Sequence, residues 1–331
     1  MDERSPHQDR SFAEQLHRNS FATMVLPEET QIKLETLAKE AEIFFVRSEK
    51  ESPEFVKRYQ HVVSTHLGGS MLHGYAEPSQ AKQLFRYFPG DEKSRKESQS
   101  SSDVVDSDTQ FPLPVSLLSA CQRELQGILE EKLAAALNGA NCRSTGQSGK
   151  HLSFRDLHAE AVKASRGKIS DPGCPLDIFR YKNEMVGMCS ATSVPASVNC
   201  SAHVDRGLMH IIVESSPGLQ VYNPTSGHFQ LIDDINQKQL NIGEKEYSNE
   251  FECGRSKNRK HSAKMPSDRP PSPPISCFRR AIIITNSALQ ELTLEHADDE
   301  TGLVLPACVH QVVGVVGTPR LSISLELRLP L

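Results

Sequence analysis

No apolar run in this chain approaches the roughly 20 residues needed to cross a bilayer as a helix. That excludes a helical membrane span as its organising element. Also missing is any C-x-x-C pair. The eight cysteines, at 121, 142, 174, 189, 200, 253, 277 and 308, follow no framework spacing and read as reduced thiols. An excess of one charge is lacking too. A net charge of −5 and a pI near 6.2 give no electrostatic case for nucleic acid or an anionic membrane as partner. The opening residues, "MDERSPHQDRSF", are charged and polar where a secretory signal would be apolar. The cytoplasm is the expected location, with the nucleus as an alternative suggested by the basic run 255–264.

Apolar content is low as well. At 37 % hydrophobic residues and a mean hydropathy of −0.44, the 331 residues read as a folded body carrying polar tails or insertions. The first twenty or so residues are expected to be disordered. Two stretches lack a structural pattern: "DEKSRKESQSSSDVVDSDTQ" at 91–110, read as a linker, and the basic, proline-rich 236–276, read as a loop insertion. These divide the chain into an N-terminal helical and loop region, 1–110, and a core, 111–331.

What is present begins with two helices. Leu34, Leu37, Ala38, Ala41, Phe44 and Phe45 fall at helical spacing, as do Leu118, Cys121, Leu125, Ile128, Leu129, Leu133 and Leu137. Asn138-Gly139 offers a stop for the second helix. From about 175 the period becomes two. "DIFRY", "LMHIIV", "LQVY", "HFQLI", "RAIIIT" and "RLSISLELRL" are short strand runs separated by turn residues, which predicts a sandwich or barrel.

Chemistry concentrates around "NCSAHVDRG". The H-x-D pattern occurs three times, at His7, His203 and His296, so by itself it is weak. On a strand, His203 and Asp205 would share a face. His310 stands ten residues before Arg320, with Gly317-Thr318-Pro319 between them as a turn, which predicts a hairpin placing the two on neighbouring strands. Two imidazoles and a carboxylate are the parts of a facial triad that leaves three positions open on Fe(II). Arg320 and Ser322, on one strand face, suit a carboxylate, because the guanidinium fork donates two parallel hydrogen bonds and the hydroxyl a third. The other histidines fit less well. His296 reads as a loop residue, His7 as part of a tail, His228 as a surface residue, and His210 as facing away if its strand is continuous with that of His203.

"AHVDRG", then "PGLQVYNPTSGHFQLID", "ALQELT" and "HQVVGVVGTPRLSISLELRLP", resemble the 2-oxoglutarate/iron(II) dioxygenases of the isopenicillin N synthase-like group. The likeness covers roughly 175–235 and 280–331, and more weakly 70–90. It implies a mixed α+β, mainly β fold: a double-stranded β-helix (jelly-roll) core with N-terminal and flanking helices. It also implies His203, Asp205 and His310 as iron ligands. Arg320 and Ser322 would bind 2-oxoglutarate, and Tyr181 stands where the family places a tyrosine that touches it. Fe(II), 2-oxoglutarate and O2 would be required, with ascorbate as a reductant. The activity implied is oxidation of a small organic substrate (hydroxylation, desaturation or demethylation) with decarboxylation of 2-oxoglutarate to succinate and CO2. The chain departs from the family in having Phe229 in place of a tryptophan and Asn286-Ser287 in place of Gly-Asp. The alternatives are a 2-oxoglutarate-independent iron oxidase of the same fold, a non-catalytic iron or 2-oxoglutarate sensor or scaffold, and a jelly roll with incidental histidines. A monomer is the expected state.

Overall fold

Apolar residues at helical spacing build the first layer. In the computed structural model, which describes residues 6–64, 70–79, 81–89, 112–142, 152–164, 174–183, 198–235, 278–296, 302–314 and 319–329, Pro6–Asn19 form α1, Glu28–Ser48 α2 and Val115–Gly139 α4. Shorter helices are Pro53–Lys57 (α3), Phe154–Ala164 (α5) and Ser287–His296 (α6). The expected stripes of α2 and α4 are buried, with Ile128 packed at the edge of the core. Helix α4 runs through Gly139, and the chain reverses at Asn141, which takes the left-handed conformation at φ 57°.

The expectation of a disordered N-terminus is corrected for residues 6–19, while 1–5 lie outside the described residues. Ala13 and Leu16 of α1 are fully buried, packed with the α4 side chains in one core. A Cβ at Gly139 would come within 2.1 Å of the Asp9 carbonyl oxygen, so the glycine allows the two helices to approach. Helix α1 carries too few apolar residues to signal itself. The surface of α4 is what orders it.

Twelve described strands form two antiparallel sheets. They are Phe21–Val25 (β1), Gln60–Ser64 (β2), Ser70–Ser79 (β3), Lys82–Tyr87 (β4), Leu176–Tyr181 (β5), Val198–His203 (β6), Met209–Glu214 (β7), Leu219–Asn223 (β8), His228–Leu231 (β9), Arg280–Thr285 (β10), His310–Val313 (β11) and Arg320–Leu327 (β12). The large sheet has the order β1-β10-β7-β12-β5-β4-β3-β2, and the small one β6-β11-β8-β9. Four strands precede residue 110, where the sequence suggested only helix and loop. Their β-pattern is short, and they are held by edges of the central sheet. The stretches 91–110 and 236–276, including the basic run 255–264, lie outside the described residues.

Alternation then sorts the side chains. On β12, Leu321, Ile323, Leu325 and Leu327 join the core beneath α1, α2 and α4. Each such burial contributes about 1.5–3 kcal/mol. Arg320, Ser322, Ser324 and Glu326 face the other way, into a cavity of about 130 Å³ beside the small sheet. Strand β12 is central, between β5 and β7, so this polar row is buried.

The predicted hairpin is also corrected. Strand β11 pairs with β6 and β8 in the small sheet, and β12 with β5 and β7 in the large one. Both edges of each strand are already taken, so His310 and Arg320 meet across a cavity and not along a ladder. Gly317 and Thr318 of the proposed turn lie outside the described residues.

Candidate metal centre

Strand β6 ends on His203 and β11 begins on His310, and the two are register partners with ring centroids 4.3 Å apart. Asp205 lies just beyond the end of β6, so a shared strand face is not what brings it to His203. Its loop is tied to the start of α6. The Ser287 amide donates to the Asp205 carbonyl (3.1 Å), Asn286 to Leu208 (3.1 Å) and Ala288 to Gly207 (3.1 Å). His203 Nε2 is 3.6 Å from Asp205 Oδ1, and His310 Nε2 is 3.6 Å from Oδ2. Ligand atoms of the three residues all lie within 4.8 Å of one another.

Both imidazoles are held in a usable tautomer. His203 Nδ1 donates to the Ser201 carbonyl at 2.8 Å, and His310 Nδ1 to the Cys308 carbonyl at 3.1 Å. A carbonyl can only accept, so each Nδ1 carries hydrogen, and Nε2 is the atom each ring offers a metal once that nitrogen is deprotonated. Burial opposes ionisation of Asp205, but hydrogen bonds from His203 and His210 outweigh it and hold the carboxyl far below its usual range. Hydrogen bonding to Asp205, then to Cys200, lifts His203 to about 10, while burial lowers His310 to about 4. Two imidazole nitrogens and one carboxylate this close together suit a divalent cation, and the set is typical of Fe(II).

His210 is a correction. The sequence placed it facing away, yet its Nδ1 lies 2.8 Å from Asp205 Oδ2 and its ring lines the cavity. The strand is not continuous: after His203 the chain crosses to the large sheet, and side-chain parity is reset. Gly207 is the signal for that crossing. A Cβ there would meet the Leu327 carbonyl oxygen at 2.5 Å, and its amide donates to Glu326 Oε1 at 2.7 Å. Burial lowers the His210 pKa, but the Asp205 hydrogen bond and charge prevail and raise it.

The other histidines lie elsewhere. His296 ends α6, where a loop was expected, because the apolar face of Leu289 and Leu292 packs on the core. His7 falls within α1 and not in a tail. His228 opens β9 and is exposed.

Across the cavity, Arg320 is only 1 % exposed. Its Nε donates to the Ser216 carbonyl at 2.9 Å, and Nη2 makes a short ion pair with Glu214. Its Nη1 is buried with no partner, as is Ser324 Oγ. Ser322 shares the cavity wall. Tyr181, the register partner of Arg320, is buried under the guanidinium, with Cζ 5.1 Å from the ring centroid. Burial pushes the phenol pKa up, against the lowering effect of Arg320. An unpaired donor in so dry a place is costly, and a carboxylate is the group that would satisfy it.

No protein-family model and no curated protein sequence matches the chain significantly. Solved structures do. The Arabidopsis thaliana dioxygenase for auxin oxidation 1, in a complex with 2-oxoglutarate, aligns over 100 % of this chain and 91 % of its own, at 13 % identity and a TM-score of 0.56. The rice dioxygenase for auxin oxidation covers 98 % and 79 %, at 13 % and 0.56. Neurospora crassa T7H, in complex with α-KG, covers 98 % and 79 %, at 13 % and 0.54. This chain has the fold of the 2-oxoglutarate/iron(II) oxygenases. Within that oxygenase fold, the cluster of His203, Asp205 and His310 is the one His/Cys/Asp/Glu group among the described residues whose donors converge as a metal site would require.

Proposed function

We propose that the protein is an Fe(II)- and 2-oxoglutarate-dependent oxygenase acting on a small organic molecule. The observation that carries the reading is one cavity with two ends. At one end two Nε2 atoms and a carboxylate converge; at the other, a buried Arg320 holds an unsatisfied Nη1. The order of strands supports a double-stranded β-helix for β5 to β12. Successive strands alternate between the two sheets, except that β8 and β9 stay together.

His203, Asp205 and His310 would hold the iron, and Arg320 with Ser322 the far carboxylate of 2-oxoglutarate. Bound there, the metal and its cosubstrate would supply oxygen activation coupled to loss of CO2. The protein's own contribution is geometric and electrostatic. The carbonyls of Ser201 and Cys308 fix the ring tautomers, His210 orients Asp205, and Tyr181 shields one face of the Arg320 guanidinium. Ile212, Leu219 and Val312 add apolar wall to a cavity otherwise lined mostly by charged and polar groups. The solved relatives T7H and the auxin dioxygenases bear on small molecules, thymine and auxin in their own cases, which supports that substrate class.

One observation favours a second reading, an iron oxidase of this fold that consumes no 2-oxoglutarate. Glu214 already places a carboxylate on Arg320. The bare Nη1 weighs against it. The deciding experiment is to reconstitute with Fe(II) and measure succinate formed from 2-oxoglutarate under oxygen, with a His310→Ala variant beside it. Succinate that requires the metal and disappears in the variant is expected. Undiminished turnover in the variant overturns the ligand assignment, and metal-dependent oxygen uptake without succinate selects the oxidase.

A further inference from the structure

Among the described lysines and arginines that line the cavity, one has no carboxylate partner. Arg86 is held by Asp177 through two contacts, at 2.6 and 2.5 Å, Arg328 by Glu326, and Arg320 by Glu214. Lys82 also lines the cavity, yet it meets no carboxylate among the described residues. Its Nζ lies 4.2 Å from the Phe179 ring centroid and 5.7 Å from that of Tyr181, and its charge also acts on the Cys200 thiol.

Strand register places this lysine beside Arg320. Lys82 on β4 and Arg320 on β12 are both paired with Tyr181 of β5, so the three form one row across the sheet. Paired residues point to one face, and two strand spacings separate the outer pair by roughly 10 Å at Cα. The ammonium leans along the floor over Phe179, whose register partner on β12 is Ser322. A lysine that merely packed its stem on aromatics would send its head to water. Here it is the nitrogen that lies above the ring.

We propose that Lys82 supplies the second positive charge for the distal carboxylate of 2-oxoglutarate, beside Arg320 and Ser322. This rests on the cosubstrate reading above. Glu214 neutralises Arg320, so a second carboxylate on that guanidinium would leave a net negative charge in a buried pocket, a heavily penalised state. Lys82 balances it, while Arg320 Nη1 contributes its free hydrogen bond. Glu214 then sets the affinity by competing with the ligand for the same guanidinium.

The test is calorimetric binding to Mn(II)-loaded protein of 2-oxoglutarate and of 2-oxopentanoate, which lacks the distal carboxylate. Lys82→Met should weaken 2-oxoglutarate by about 10- to 100-fold and leave 2-oxopentanoate and Mn(II) affinity unchanged. Lys82→Arg should restore most of the loss. Adding Glu214→Gln to Lys82→Met should recover part of it by freeing Arg320. Unchanged 2-oxoglutarate affinity in Lys82→Met, or equal loss for both ligands, overturns the assignment of Lys82. Failure of the unsubstituted protein to bind 2-oxoglutarate overturns the cosubstrate reading itself, before any substitution is made.

Discussion

His210 hydrogen-bonds Asp205 through Nδ1 at 2.8 Å, although the two residues belong to different structural units: Asp205 sits past the end of the small sheet and His210 on a central strand of the large one. The bond occupies Oδ2 and leaves Oδ1 facing His203. It is a clamp between sheets, applied at the carboxylate of the candidate centre.

Removing that clamp should therefore weaken metal binding without removing a ligand. His210→Ala is expected to lower Co(II) or Mn(II) affinity about 10- to 100-fold, the usual cost of losing a partner of a metal ligand, and His210→Asn to lose less. Isothermal titration measures this directly. Equal affinities in all three proteins would show that Asp205 is positioned by the α6 amides alone.

Metal binding should release a proton. With its pKa lifted to about 10 in the metal-free site, His203 carries a proton at neutral pH, while Asp205 is ionised and His310, near 4, is already neutral. The metal must displace the His203 proton, so affinity should rise with pH by up to about tenfold per unit between pH 6 and 8. Titrations in buffers of different ionisation enthalpy would count the protons. A pH-independent affinity would mean that His203 is neutral before the metal arrives.

Thiol reactivity should single out Cys200 among the described cysteines. Burial pushes Cys121 and Cys308 to about 12 and Cys142 to about 11, leaving them as inert thiols. Cys200 is half-buried, 3.9 Å from His203 Nδ1, and that contact lowers its pKa. Alkylation of native protein followed by peptide mass mapping should modify Cys200 ahead of the buried Cys121, Cys142, Cys174 and Cys308. Faster labelling of Cys121 or Cys142 would contradict the packing of α4 and of the turn that follows it.

The N-terminal helix should contribute to stability. Leu16 is fully buried in the core shared with α4, so Leu16→Ala is expected to cost about 2–5 kcal/mol. Urea denaturation followed by circular dichroism would read this as a lower midpoint at similar slope. A change within error would mean that α1 is not docked in solution.

Local pattern made much of this legible. The stripes of α2 and α4, the strand runs after 175 and the alternation of β12 all depend on residues a few positions apart. His203, Asp205, His310, Arg320, Ser322 and Tyr181 were likewise visible as candidates, and the structure brings all six to one cavity. Less visible was anything that required knowing which segment lies beside which. Strands β1 to β4 and helix α1 carry weak patterns and are ordered by surfaces formed elsewhere. The hairpin reading of 310–320 failed because the pairing edges of both strands were claimed by distant partners.

His210, Glu214 and Lys82 show the same division at the level of single side chains. No spacing rule links them to Asp205 or Arg320. Each is found only after β4, β5, β7 and β12 are set in register. By itself, the sequence determined which residue types are available and which face of each strand they share, since both follow from the backbone's own period. Only the tertiary structure decided which faces oppose each other, which charges are already paired, and where parity restarts after a crossing. Those outcomes depend on burial and electrostatics between segments far apart in the chain.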